Sequence, residues 1–319
     1  MSDTIRSDTA LNADAPEPIM NNGDSLISSK RRTFWGDAWS EYTRSVLAMF
    51  GLISMILITL GVAIGPELYT RDPQYIDMTL ASLSPRPGYI FGTDDLGRDG
   101  LARILVGGRI TIAVGITSMI LTICIGTSIG LLSGFFPKLD NPLMRFTDLM
   151  LSLPQLPLLL LVITLFRETL RSIFGPGRGM FILIVCVIGF LRWMSTARIV
   201  RGVVLSIKGR EFILAAYAVG VRPLRILVRH ILPNSMNSVI VSSTLTVAQA
   251  VLDESTLSFL GLGFPSDVPT WGRLIFDGVD YMTYTPWVVF FPGLFIWLTL
   301  LSVNFIGESL NDALDPRLR

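Results

Sequence analysis

The chain has 319 residues, of which 50% are hydrophobic and 16% charged, against about 25% charged in an ordinary soluble domain. Its formal net charge of +1 carries no signal for nucleic acid, and no strip of interleaved basic and aromatic residues occurs. Long charge-free intervals exclude a soluble globular enzyme and mark a polytopic membrane protein, because about 20 apolar helical residues cross a hydrocarbon core of about 30 Å.

Residues 1–44 read as a polar cytoplasmic tail, partly disordered and rich in Ser, Asp, Asn and Pro, with no secretory signal expected. The 22 uncharged residues between Arg44 and Glu67 predict a first span over 45–67, and an extracytoplasmic loop follows over 68–108. The 28 residues between Arg109 and Lys138 predict a second span. Leu149 to Phe166 is an 18-residue uncharged stretch, just long enough for a third, with Pro154 inside it as a kink that could also border a pathway. Residues 179–191 supply only 13 positions before Arg192. Extending to Ala197 makes a fourth span with Arg192 near one end, snorkelling toward the headgroups. Intervals of 23 residues (Arg229 to Asp253) and 27 residues (Asp280 to Glu308) predict the fifth and sixth, and 309–319 is a cytoplasmic tail.

Six spans place 17 Lys and Arg on one side and 9 on the other. By the positive-inside rule both ends are then cytoplasmic. Omitting the fourth span would export the eight cations from Arg192 to Arg229.

No catalytic, cofactor-binding or metal-ligating set is expected. His230 is the one histidine, and no GxxxxGK[ST], HExxH or GxSxG occurs. Gly175-Pro176-Gly177-Arg178-Gly179 reads as an interhelical turn, and Cys124 and Cys186 lie inside predicted spans, away from any disulfide framework. No repeat of 20 to 50 residues is present. Asp253 and Glu254 are the acidic pair nearest a span. They must sit at the outer interface, be protonated or paired, or line a pathway or gate, since a lipid-facing charge costs about 2.5–3.5 kcal/mol. As helical neighbours they point about 100° apart, a poor geometry for a catalytic dyad. A stand-alone secondary transporter would show an inverted repeat and several intramembrane charges, and neither pattern is evident.

The segment 205–234 carries the most information. Phe212, Ile213, Ala216 and Tyr217 mark one helical face, Gly220 supplies a stop, and a second short helix from Leu224 to Ile231 is expected to break before Pro233. Such an amphipathic hairpin lies in the lipid interface or docks on a cytosolic partner. The pattern Ala215-Ala216-xxx-Gly220-x12-Pro233 resembles the EAA loop of ABC-importer permeases. Leu214 stands where many permeases carry the motif's glutamate, and Glu211 matches an acidic position of the peptide branch. Three more stretches resemble the dipeptide/oligopeptide/nickel branch, C-type subunit: Phe91 to Gly115, Leu252 to Ile275 and Ser309 to Arg319.

The resemblance implies an all-α type I importer transmembrane domain of six helices. It would form half of a pathway with a homologous second permease, most readily for di- or oligopeptides, with nickel chelates, glycosides and opine-like solutes as alternatives. It also implies two ATP-binding subunits, which carry ATP and Mg and dock on Glu211, Ala215, Ala216, Gly220 and Pro233. An extracytoplasmic binding protein would deliver the solute, in a bacterial inner membrane. Asp94, Asp95, Arg98 and Asp99 suit a helix N-cap, with receptor contact as the other reading. Trp271 is expected at the headgroup level of the outer loop, within reach of the same receptor.

Overall fold

The computed structural model describes residues 34–314, and among them the chain is helical apart from its loops and two isolated β-bridges. In chain order come α1 (Phe34–Arg44), α2 (Val46–Leu68), α3 (Gly100–Phe135), α4 (Pro137–Ser152), α5 (Gln155–Phe174), α6 (Pro176–Lys208) and α7 (Glu211–Ala218). Then follow α8 (Pro223–Ile226), a π-helical turn (Leu227–Ile231), α9 (Leu232–Phe259), α10 (Trp271–Gly278) and α11 (Pro286–Leu314). Five runs are long and apolar enough to cross a membrane: α2, α3, α6, the continuous Pro223–Phe259 and α11. Taken together, α4 and α5 pass the same test as a broken span or a re-entrant loop, bent by 88° at their junction.

The first span lies where the charge-free interval predicts it. Ser45 caps α2, accepting a hydrogen bond from Ala48 N at 3.3 Å. Other boundaries move, each for a physical reason. The N-terminal tail is helical over Phe34–Arg44, while residues 1–33 and the last five, 315–319, lie outside the described residues. The loop ends at Asp99 and not at 108, because Arg103 and Arg109 are carried on α3 by acids elsewhere: Arg103 by Asp94 and Asp277, Arg109 by Glu67. The expected third span, 149–166, straddles a break. Pro154 caps the start of α5 instead of kinking a continuous helix, and Leu153 before it is extended (φ −78°, ψ 136°), as a residue preceding proline prefers. Arg192 stands at the midpoint of α6, which runs on past the expected end at Ala197 to Lys208, and its guanidinium is paired with Asp253 on α9. Finally α11 runs on to Leu314, so the first part of the supposed tail 309–319 is helix.

Pro233 also behaves differently from expectation. No break precedes it; the chain passes from α8 through the π turn into α9 as one run. The wider turn bonds Leu232 N–H back to Leu227 O, and Pro233, with no N–H to place, enters α9 in its first turn.

At the centre, α3 packs along α6, its largest interface, and also contacts α9 and α2, while α11 closes against α2 and α9. Gly126, Gly130 and Gly134 repeat every fourth residue, so they form one strip on α3. A Cβ at Gly126 would lie 2.7 Å from Thr196 Cβ, at Gly130 2.6 Å from Ala197 O, and at Gly134 2.7 Å from Val204 Cβ. The strip lets the two backbones approach in a way larger residues would forbid, as in small-xxx-small packing of membrane helices.

Candidate functional site

The segment after α6 is a rigid corner. Glu211 opens α7 and is exposed, which sets its charge against the positive end of the helix dipole. α7 ends in a Schellman motif. Gly220, at φ +79°, donates its N–H to Tyr217 O (3.0 Å), and Val221 N–H donates to Ala216 O (3.0 Å). The apolar stripe divides. Ile213 is fully buried and Ala216 half-buried against Phe135, Val204, Ile207, Ile226 and Ile231. The hairpin is therefore packed onto the bundle, because the ends of α3, α6 and the π turn converge beneath it. Lys208 Nζ, donating to Phe135 O at 2.7 Å, ties the same corner to the end of α3. The outward face keeps Phe212, Leu214, Ala215, Tyr217 and Val219 exposed, with Val219 84% exposed.

At the opposite end, loop 69–99 is locked by charge. Asp94 accepts from Leu96 N (3.0 Å) and Arg98 N (2.9 Å) with one oxygen, and from Arg98 Nε (2.7 Å) and Arg103 Nη1 (2.5 Å) with the other. Arg103 continues to Asp277 Oδ2 (3.1 Å) on α10, which also pairs with Arg273 at 2.8 Å. Asp99 caps α3 through Ala102 N (3.0 Å) and takes Tyr69 Oη (2.7 Å) and Arg71 Nη1 (3.1 Å). Burial, and then the hydrogen bond to Asp99, push the Tyr69 hydroxyl up to about 12. The cap expected of these residues is therefore formed by Asp99, while Asp94 organises the turn before it. Both are buried, whereas Asp95 and Arg98 border a cleft of about 500 Å³ also lined by Gln74, Asp267, Asp277 and Asp280. Burial, reinforced by the Asp94 charge, raises the Asp95 carboxyl above its ordinary range.

Trp271 is not an interfacial aromatic. It is fully buried, with Nε1 donating to Ile104 O at 3.0 Å and its backbone N–H reaching Thr111 Oγ1 at 3.3 Å. The reason is α10, whose N-cap Thr270 turns the outer loop back into the bundle. Beneath it lies Glu254, also fully buried, accepting from Ser258 Oγ (2.8 Å) and Thr111 Oγ1 (3.2 Å). Thr270 Oγ1 in turn donates to Ser258 Oγ at 3.3 Å. Glu254 thus joins α3, α9 and the entry to α10 through hydroxyls. Glu254→Gln is expected to leave the Tm of the purified protein within about 2 °C, since rotatable hydroxyls can serve an amide. Glu254→Ala should cost about 1–3 kcal/mol by orphaning those hydroxyls. Thermal unfolding in detergent measures both, and unchanged uptake by the Gln variant supports the structural role over the gate.

Asp253 parts company with its neighbour. Arg192 grips it from α6 through Nε (2.7 Å) and Nη2 (2.6 Å) and reaches Gln249 with Nη1. The site residues Glu254 and Trp271 are therefore brought together, as are Asp94 and Arg98, while Asp253 and Pro154 stand apart from both groups. Sequence reading missed Arg103, Asp277 and Thr111 as members of these networks. The available signal was a charge inside a helix, at Arg103 and again at Arg192, which requires a partner.

Residues 123–319 match the family described as "binding-protein-dependent transport system inner membrane component", and residues 33–85 match "N-terminal TM domain of oligopeptide transport permease C". The chain is 38% identical over 301 residues to the oligopeptide transport system permease protein OppC of Bacillus subtilis, covering 94% of this chain and 95% of that protein. It is 37% identical over 311 residues to OppC of Haemophilus influenzae (97% and 96% covered), and 38% identical over 285 residues to the dipeptide permease DppC of Bacillus subtilis (89% and 86%). In fold it is similar to a chain of the inward-facing MetNI methionine ABC transporter, with a TM-score of 0.53 at 19% identity over 66% of this chain and 94% of that one. An all-α bundle with five or six candidate spans, a family match over most of its length and relatives spanning nearly all of it identify the chain as a member of the inner-membrane permease components of binding-protein-dependent, type I ABC importers.

Proposed function

We propose that this chain forms one half of the translocation pathway of a di- or oligopeptide importer, paired with a homologous permease in a six-plus-six helix arrangement. The identity to permeases named for oligopeptides and dipeptides, sustained across the chain, carries the substrate class. Two ATP-binding subunits hold ATP and Mg and perform the hydrolysis, and this chain binds no cofactor. They dock on α7 and the turn after it, a reading supported by the exposed Phe212, Leu214, Ala215 and Tyr217 on a helix whose other face is anchored in the bundle. Glu211, Ala215, Ala216, Gly220 and Pro233 then belong to the coupling segment: Glu211 and Ala215 exposed on α7, Ala216 and Gly220 in its anchoring and stop, Pro233 in the run that transmits the motion. Both termini are cytoplasmic, which the 17-to-9 distribution of Lys and Arg supports. The cleft bordered by Asp95 and Arg98 faces the opposite side and receives the solute-binding protein.

Mechanically, nucleotide-driven closure of the ATPases moves α7, and the Schellman turn and π turn pass that motion to α9 without slack. A mild-detergent pull-down of the tagged chain from its native membrane is expected to recover a second six-helix permease and P-loop ATPases; recovery of the chain alone overturns the assembly. Gly220→Pro removes both the positive φ and the N–H that closes α7. This variant should insert normally and lose at least tenfold in peptide taken up per ATP hydrolysed in proteoliposomes, and full uptake at normal abundance counts against the docking assignment.

A further inference from the structure

Arg192 lies at the midpoint of α6, about 24 Å from either end of a helix that, at 1.5 Å per residue, outruns a hydrocarbon core of about 30 Å. Its partner Asp253 answers it across the α6–α9 contact, yet the pair is not sealed: Arg192 remains 22% and Asp253 12% exposed, and Gln249 beside them is exposed. That face cannot meet lipid, where each charge would cost about 2.5–3.5 kcal/mol. The lipid-type faces of this bundle look different, with Leu57, Leu60 and Ile64 on α2 and Phe290 and Trp297 on α11. Beside Arg192, two further polar side chains, Ser195 and Gln155, border a cavity otherwise lined by Leu and Met. Ser195, one helical turn along α6, is exposed, and the cavity, of about 70 Å³, runs from Arg192 and Ser195 to Gln155 at the α4–α5 break. Gln155 Nε2 is buried there with no hydrogen-bond partner among the described residues.

We propose that Arg192 and Asp253 form a solute-contacting charge pair on the pathway wall that takes the two ends of a zwitterionic peptide. This assignment rests on the permease reading above. The pair carries one donor fork and one carboxylate and no net charge, so a solute with one carboxylate and one ammonium can exchange partners with it. The solute carboxylate takes the Arg192 fork, its ammonium takes Asp253, and no charge is left uncompensated in the low-dielectric interior. A singly charged solute leaves one member of the pair unpaired once it opens, and an uncharged solute leaves both. The pair therefore favours zwitterions during passage, independently of what the binding protein selects. Gln249 and Gln155 supply amides that hold the opened guanidinium and meet the peptide's own amide groups.

The test uses the whole importer in lipid nanodiscs and proteoliposomes. With Cys124 and Cys186 replaced by Ser, Ser195→Cys is expected to react with a cationic, membrane-impermeant methanethiosulfonate in the nucleotide-free or vanadate-trapped state. Loaded binding protein carrying dialanine should slow that reaction at least threefold. No reaction in either state, or reaction without protection, overturns the site and places this face against lipid or the second permease. Independently, R192Q/D253N, which removes both charges together, should lower dialanine taken up per ATP hydrolysed at least tenfold at saturating loaded binding protein. An unchanged ratio overturns the proposal, and if the double variant does not assemble, the labelling decides alone. A wild-type importer that moves no peptide overturns the peptide reading itself, an outcome distinct from either of these.

Discussion

Asp94→Ala is expected to destabilise the protein by about 3–5 kcal/mol, the range found when one partner of a buried ion pair is removed. The carboxylate takes four donors at once: two backbone N–H groups inside loop 69–99, and the guanidinium groups of Arg98 and Arg103. Arg103 is buried and Arg98 nearly so, and without Asp94 the first keeps Asp277 alone among the described residues while the second loses its ion pair. Asp94→Asn should do almost as much damage. An amide presents an acceptor on one side only, so whichever way it turns, either the backbone pair or the arginine pair faces a donor. Asp95→Asn is the matched control, half-exposed on the cleft, and should stay within about 0.5 kcal/mol. Thermal unfolding of the three variants in one detergent measures the differences. An Asp94→Asn variant as stable as the wild type would show that the loop is held by its backbone turns and not by the charge cluster.

Gly130→Leu is expected to prevent accumulation of folded protein. The position lies on the strip where α3 meets α6, and even a Cβ would sit 2.6 Å from Ala197 O and 2.7 Å from Val200 Cβ. Backbone oxygen cannot move aside as a flexible side chain can, so the two helices must separate along their largest shared interface. Overpacking of this kind costs about 1–3 kcal/mol for small additions, and Gly130→Ala should fall in that range. Gly202→Ala on α6 provides the contrast: nothing lies within 4 Å of its Cβ, and helix propensity favours alanine by about 0.8–1.0 kcal/mol. It should be neutral or mildly stabilising. Size-exclusion profiles of the detergent-solubilised variants report folded yield, and equal profiles for Gly130→Leu and Gly202→Ala would remove the strip from the account of the fold.

Features held by local stereochemistry were legible in advance. The motif between Arg210 and Pro233 could be read locally, since a helix stop by glycine depends on φ at one residue and on hydrogen bonds within five positions. Asp99 as a helix cap was legible for the same reason. Trp271 was not. A tryptophan in a turn-rich loop next to a span reads as interfacial, and only the return of α10 into the bundle, with Ile104 O available 167 residues away, makes burial the lower-energy state. Pro233 misled in the opposite sense: the local rule ends a helix there, and a π turn of five residues absorbs the missing donor.

From the sequence alone come the polytopic membrane class, the position of the first long apolar helix and the helix–turn corner of residues 205–234. These follow from charge-free runs and single-residue stereochemistry, which are local properties. Tertiary structure alone decided where helices end and which charges meet. Arg103 extends α3 beyond the apolar run because Asp94 and Asp277 neutralise it, and Arg192 sits at mid-helix because Asp253 answers it from α9. Asp253 and Glu254, adjacent in sequence, consequently take unrelated partners, one a guanidinium and the other a set of hydroxyls. The cost of a charge inside a span depends on what faces it, and for Arg103 that partner lies up to 174 residues away.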